Sequence, residues 1–161
     1  MKLYTADLCN ELLKQIKMKS RIVIPQIAPD AYQALMNLEK YISTTSLTAE
    51  HKELIKIRAS QINGCAFCIN MHTADARKYG VSEQKIYLLS AWREADIYSE
   101  EEKAILALTE QVTLIANHVT DEVYQNAAQL FDEKYLAEII LAIIAINSWN
   151  RLAITTGLRA V

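Results

Sequence analysis

Three glycines and two prolines in 161 residues leave this chain almost without punctuation. Glycine supplies left-handed turns and proline stops helices, so a chain this poor in both can turn sharply in few places. Alanine, leucine, isoleucine, glutamate and lysine abound, and apolar residues recur at steps of three and four, the period of a helical face. The expected fold is therefore all-α. No Pro/Gly/Ser-rich linker, low-complexity tract or solenoid-length repeat divides the chain, which reads as a single-domain helical bundle over 20–161 preceded by an N-terminal arm over 1–19. At this length one core can bury about two thirds of the unfolded surface, so no staple is required for folding.

Capping residues set the expected helices. Pro29-Asp30 opens one through about Tyr41, and Thr48 caps the next, which carries Leu54, Ile55 and Ile57 to about Ile62. Asn63-Gly64 breaks it. A further helix runs to about Lys78 with Gly80 as its stop, and Ser82 caps one bearing Ile86, Leu89 and Trp92. Ser99 with Glu102 forms a capping box for a helix to about Ala116. Asp121 starts a short helix to Leu130, and Asp132 a long one to about Leu152. That last helix is apolar all round from Ile139 to Ile146, so it must be covered on more than one side, either as the central helix of the bundle or with one face against another subunit. The arm carries Leu3, Leu8, Leu12 and Ile16 at the spacing of a weak amphipathic helix.

A net charge of −2, from 17 basic and 19 acidic residues interspersed in sequence, offers nothing to hold a phosphate backbone, so nucleic acid is not an expected partner. The first residues lack the apolar core and cleavage site of a secretory signal, and Ile139 to Ile146 is too short a run to span a bilayer. Three cysteines do not make the even-numbered framework of a small secreted domain. A soluble, cytoplasmic protein with no membrane partner is expected.

Two of those cysteines carry the chemistry. In Cys65-Ala66-Phe67-Cys68-Ile69-Asn70-Met71-His72 the spacings of three, four and seven place both thiols and the imidazole on one helical face. A cysteine in a first helical turn feels unpaired N–H groups and the positive end of the dipole, which favour the thiolate. His72, one turn beyond Cys68, can take its proton or hold its thiolate, whereas Cys65 is two turns away. Cys68 is thus the expected nucleophile. Its attack on a peroxide would give a sulfenic acid that Cys65 could condense with, releasing water. Glu53, on the preceding helix, is the expected acid or base if an antiparallel return brings it against the thiol helix. Zinc held by Cys65, Cys68 and His72 is the weaker alternative, because a structural site takes four ligands and Cys9, His51 and His118 lack ligand spacing. A non-catalytic redox sensor or structural module is another. Cys9 reads as a bystander, His51 and His118 as structural or solvated, and the tryptophans and tyrosines as packing residues. No cofactor is expected.

The stretch from Glu53 to Arg77 closely resembles the core motif of the carboxymuconolactone decarboxylase family in its alkylhydroperoxidase AhpD-like branch: a glutamate, an Asn-Gly break, paired cysteines and a histidine at the family's mutual spacings. Ser90-Ala91-Trp92-Arg93-Glu94 and Ile146 to Leu152 resemble further segments of that branch, and the likeness covers about 20–158. The resemblance implies an all-helical fold, a homotrimer or homohexamer, and thiol-dependent reduction of hydroperoxides or disulfides, with a lipoyl-type dithiol carrier as donor. It implies Cys68 as peroxidatic cysteine, Cys65 as resolving cysteine, and Glu53 and His72 as proton relay. Phe67 stands where the best-known peroxidase of the branch has a second histidine. Phenylalanine can neither shuttle a proton nor donate a hydrogen bond, which moves the expectation toward general dithiol–disulfide exchange. Decarboxylases of the family typically lack the paired cysteines, so lactone decarboxylation is not expected.

Overall fold

The computed structural model describes residues 21–160 and holds eight α-helices among them, with no strand. They are α1 (Ile24–Ile27), α2 (Pro29–Thr44), α3 (Ala49–Asn63), α4 (Ala66–Lys78), α5 (Glu83–Leu88), α6 (Glu100–Thr113), α7 (Asp121–Leu130) and α8 (Glu133–Thr156). The arm, its amphipathic pattern and Cys9 lie outside the described residues. Side-chain oxygens of Thr48, Ser82, Ser99, Thr120 and Asp132 accept the N–H three residues on at the starts of α3, α5, α6, α7 and α8, and Glu102 closes the box with Ser99. Each such cap stabilises a helix start by about 1 kcal/mol.

Two elements depart from the sequence pattern. The expected helix through Trp92 ends at Leu88 and continues as a 3₁₀ segment, Leu89–Glu94, in which Ala91 leaves helical geometry. There Leu89 is buried, and the Trp92 indole N–H donates to Glu110 of α6 at 2.9 Å, so tertiary anchoring overrides the local period. The helix expected to reach Ala116 stops at Thr113, and a 3₁₀ turn, Ile115–Asn117, follows a non-helical Leu114.

The centre of the bundle is α3 against α8. α3 packs on α4, α6 and α8, and α8 also receives α2 and α6. Ile42, Ile55, Ile105, Leu108, Ile139, Ile143 and Ile146 fill the main core together with Cys65 and Cys68, and a second cluster around Leu54, Ile57, Leu89 and Leu106 lies on the other side of α3. Burial of each large aliphatic side chain stabilises by about 1.5–3 kcal/mol. α8 is longer than its uninterrupted apolar run: by length and composition its 24 residues would reach across a bilayer, but half of the apolar window is buried within the chain. Its outer face leaves Ile144 and Ile154 exposed.

Candidate functional site

The cysteine pair sits where α3 hands over to α4. Gly64 caps α3 in the left-handed region (φ +70°), and an added Cβ would meet nothing within 4 Å, so its role is conformational rather than spatial. The Gly64 turn folds α4 back along α3 and leaves Cys65 as the N-cap of α4, its Sγ accepting the Cys68 N–H at 3.4 Å. The two sulfurs form a disulfide, with Cα atoms 5.4 Å apart, a separation ordinary for such a bond. Both residues are 2 % exposed.

The antiparallel return brings Glu53 to His72. The His72 Nδ1–H donates to Glu53 Oε2 at 2.9 Å, and both side chains are buried. With Nδ1 committed to the carboxylate, Nε2 is the ring nitrogen left for the cavity that His72 lines with Cys68. That cavity measures about 450 Å³ and is walled by Tyr32, Phe67, Trp149 and Leu152, with Tyr32 and Trp149 edge to face at 5.4 Å. An apolar chamber beside a sulfur and an imidazole can take an organic substrate and keep bulk water from the reacting atoms.

A buried amide clamp fixes the turn before the cysteines. Asn63 Nδ2 donates to both Asn147 and Asn150 of α8 at 2.9 Å, and Asn150 Nδ2 donates to Ser60 Oγ at 2.9 Å. The Ser60 carbonyl in turn accepts the Cys65 N–H at 3.0 Å. Asn147 also donates to Thr113 and accepts from Arg151. Fully satisfied buried networks of this kind rigidify what they touch. The sequence reading missed these asparagines as site residues, although Ile146 to Leu152 was already distinctive.

It also missed a charged wall. Lys56 Nζ pairs with Glu39 Oε1 at 2.5 Å, and Glu39 Oε2 is buried without a partner. Glu39, Lys56 and Asp75 line the apolar cavity and also a second, polar cavity of about 400 Å³ whose floor includes Glu53. Lys52, at that second cavity, is held below the usual lysine range by burial and by neighbouring Lys56. Ligand-type atoms of Glu53, His72 and Asp75 lie within 4.8 Å of one another. Within this group His72 donates to Glu53, and Lys78 Nζ donates to Asp75 at 2.6 Å. The sulfurs of the zinc alternative are bonded to each other.

The other histidines lie elsewhere. His51 packs edge-on to Phe131 and Tyr135, with its Nδ1 2.7 Å from the Tyr135 hydroxyl, and burial pushes its pKa below the ordinary value against the pull of Glu102, Glu101 and Glu50. His118 follows the 3₁₀ turn after α6 with φ +59°.

Residues 29–111 match the pattern of the Carboxymuconolactone decarboxylase family. The chain belongs to that family. Among curated relatives of this family member, protein YdfG of Bacillus subtilis (strain 168), itself uncharacterized, is 50 % identical over 144 residues, covering 89 % of this chain and 98 % of YdfG. Among solved structures, a protein of unknown function from Agrobacterium tumefaciens, linked to antioxidant defence protein AhpD, superposes with a TM-score of 0.85 at 41 % identity, covering 89 % of this chain and 99 % of that one. The debrominase Bmp8 superposes with a TM-score of 0.73 at 25 % identity, over 80 % of this chain and 70 % of its own. The all-α, AhpD-like fold of this family is thus shared by a debrominase.

Proposed function

We propose that this family member is a thiol-dependent oxidoreductase of antioxidant defence that cycles Cys65 and Cys68 between dithiol and disulfide while reducing an organic hydroperoxide or a disulfide. The observation that carries the reading is the His72–Glu53 hydrogen bond, with His72 and Cys68 both in the wall of one apolar cavity. Cys68 reacts as the thiolate. Its sulfur attacks the distal oxygen of ROOH, the O–O bond breaks, and RO⁻ takes a proton from the His72 imidazolium, leaving Cys68 sulfenic acid and ROH. Cys65 thiol then condenses with the sulfenic acid, forming the disulfide and water. An external dithiol, of the lipoyl type, restores both thiols by two exchange steps and leaves as its own disulfide. A disulfide substrate enters the same cycle by exchange at Cys68. Glu53 orients the imidazole and holds its charge.

The substrate side requires no resident cofactor in this scheme. Phe67 in the cavity wall contributes apolar contact and no proton, which favours substrates with an organic body over hydrogen peroxide itself. The exposed isoleucines of α8 support assembly into a homotrimer or homohexamer, and a cycle that starts from free thiols fits a reducing cytoplasm. Steady-state turnover with cumene hydroperoxide and dihydrolipoamide tests the reading: many turnovers per chain are expected, and Cys68→Ser abolishes them. A single oxidation event per chain would mark the pair as a sensor, and full activity of Cys68→Ser would remove the nucleophile.

A further inference from the structure

Two sulfurs besides those of the cysteines stand in the wall of the apolar cavity. Met36 of α2 and Met71 of α4, the two methionines among the described residues, line it together with Cys68. They are 40 % and 43 % exposed, against 2 % for Cys68. A thioether is a soft nucleophile with no proton to lose before it reacts. In the disulfide form that the structure holds, Cys65 and Cys68 are bonded to each other, and neither offers a thiolate. The cavity keeps its apolar walls in that form, Tyr32, Phe67 and Trp149 among them, and with them its fit for an organic hydroperoxide. We propose that Met36 and Met71 are oxidation sites of this cavity: when the donor dithiol runs short and the disulfide accumulates, hydroperoxide seated there converts them to methionine sulfoxide, which weakens the hold on further organic substrate. The oxidant is the organic hydroperoxide of the reading above, and the proposal rests on that reading for it.

The hydroperoxide alone balances the step. A lone pair of the thioether sulfur takes the distal oxygen of ROOH, the S–O bond forms as the O–O bond breaks, and the proton carried by that oxygen passes to the departing RO⁻. Sulfur gives up two electrons, the peroxide gains them, and the products are the sulfoxide and ROH. The same electrophile thus meets Cys68 while thiolate is present and the methionines once it is gone. A sulfoxide is polar and chiral where the thioether was apolar and pliant, so this wall exchanges apolar contact for groups that prefer water. An organic body loses most by the change, and hydrogen peroxide, which needs no apolar wall, loses least. Methionine sulfoxide reductases reverse the modification, so the hold is weakened only while oxidant outruns reductant.

The unaltered protein in its disulfide form, incubated with cumene hydroperoxide and mapped by peptide mass spectrometry, tests this. Sulfoxide should appear on Met36 and Met71 at about ten times the rate of free N-acetylmethionine, the rate should level off as hydroperoxide is raised, and cumyl alcohol, an inert occupant of similar shape, should slow it. After reduction of its disulfide by a dithiol, the modified protein should show a KM for cumene hydroperoxide raised about ten-fold, with hydrogen peroxide turnover within about two-fold, and methionine sulfoxide reductase should restore the first value. The same exposure of the Met36→Leu/Met71→Leu variant should leave that variant's own KM where it was, and a rise there would overturn the assignment to these residues. A rate no faster than that of N-acetylmethionine, proportional to hydroperoxide and untouched by the alcohol, would be ordinary surface oxidation and would overturn the proposal, as would an unchanged KM after modification. Saturable sulfoxide formation in a protein that shows no turnover with any hydroperoxide would remove the thiol cycle alone and leave the two methionine sites standing.

Discussion

Asn150→Ala should be among the most damaging single substitutions outside the cysteines, and its cost follows from the amide clamp. Asn150 is fully buried, accepts from Asn63 Nδ2 and donates to Ser60 Oγ, each at 2.9 Å. Alanine removes both hydrogen bonds. Asn63 keeps its bond to Asn147, so that loss is about 1 kcal/mol, whereas the buried Ser60 hydroxyl keeps only its own helix to turn to, adding about 1–2 kcal/mol. The sum is about 2–3 kcal/mol before any cavity is counted, and at about 2–4 °C per kcal/mol for a chain of this size the Tm falls by about 4–12 °C. Urea unfolding of the unaltered protein, Ser60→Ala, Asn150→Ala and the double variant closes a cycle, with an expected coupling of about 1 kcal/mol between the two sites. A loss below about 1 kcal/mol for Asn150→Ala, or strict additivity in the cycle, would refute the clamp as a source of rigidity.

Glu53→Gln keeps an acceptor for the His72 N–H but removes the charge, so kcat should fall about 10- to 100-fold with the fold intact, measured as turnover against a circular-dichroism control. Activity within about three-fold of the unaltered protein would exclude a charge role for Glu53. The buried His51 gives a stability signature with a definite sign: its folded pKa lies below 6.5, so the unfolded chain binds the proton first, and stability is full above that value and declines as pH falls below it. Urea midpoints between pH 7 and pH 5 should show this decline, and His51→Phe should reduce it; an unchanged slope in the variant would assign the effect to other groups.

What was legible in the sequence was local. Thr48, Ser82, Ser99 with Glu102, and Asp132 cap through their own side chains, so the starts of α3, α5, α6 and α8 follow from short-range hydrogen bonding. Gly64 marks the turn because only glycine takes that backbone cheaply, and the turn alone then makes a meeting of Glu53 with His72 plausible from sequence. The 3₁₀ segment after Leu88 was not legible, since it is set by Trp92 reaching Glu110 on another helix. Nor was the Lys56–Glu39 wall, whose members sit 17 residues apart on different helices, so that no local pattern pairs them. Asn63 and Asn150 meet across 87 residues, a distance at which pattern reasoning has no purchase. The sequence therefore indicates which residue types could react, while the pairing of Lys56 with Glu39 emerges only from the packing of α2 against α3.

The central claim is that sulfur at position 68 makes the first bond to the oxidant. Its most direct test is mass spectrometry of the Cys65→Ser variant after one equivalent of cumene hydroperoxide in the presence of a sulfenic-acid trap, and in parallel after one equivalent of an organic disulfide. The account requires a trapped sulfenic acid and a mixed disulfide, both on Cys68 and at close to one per chain. Adducts on another residue, or an unmodified Cys68 under both oxidants, would contradict it.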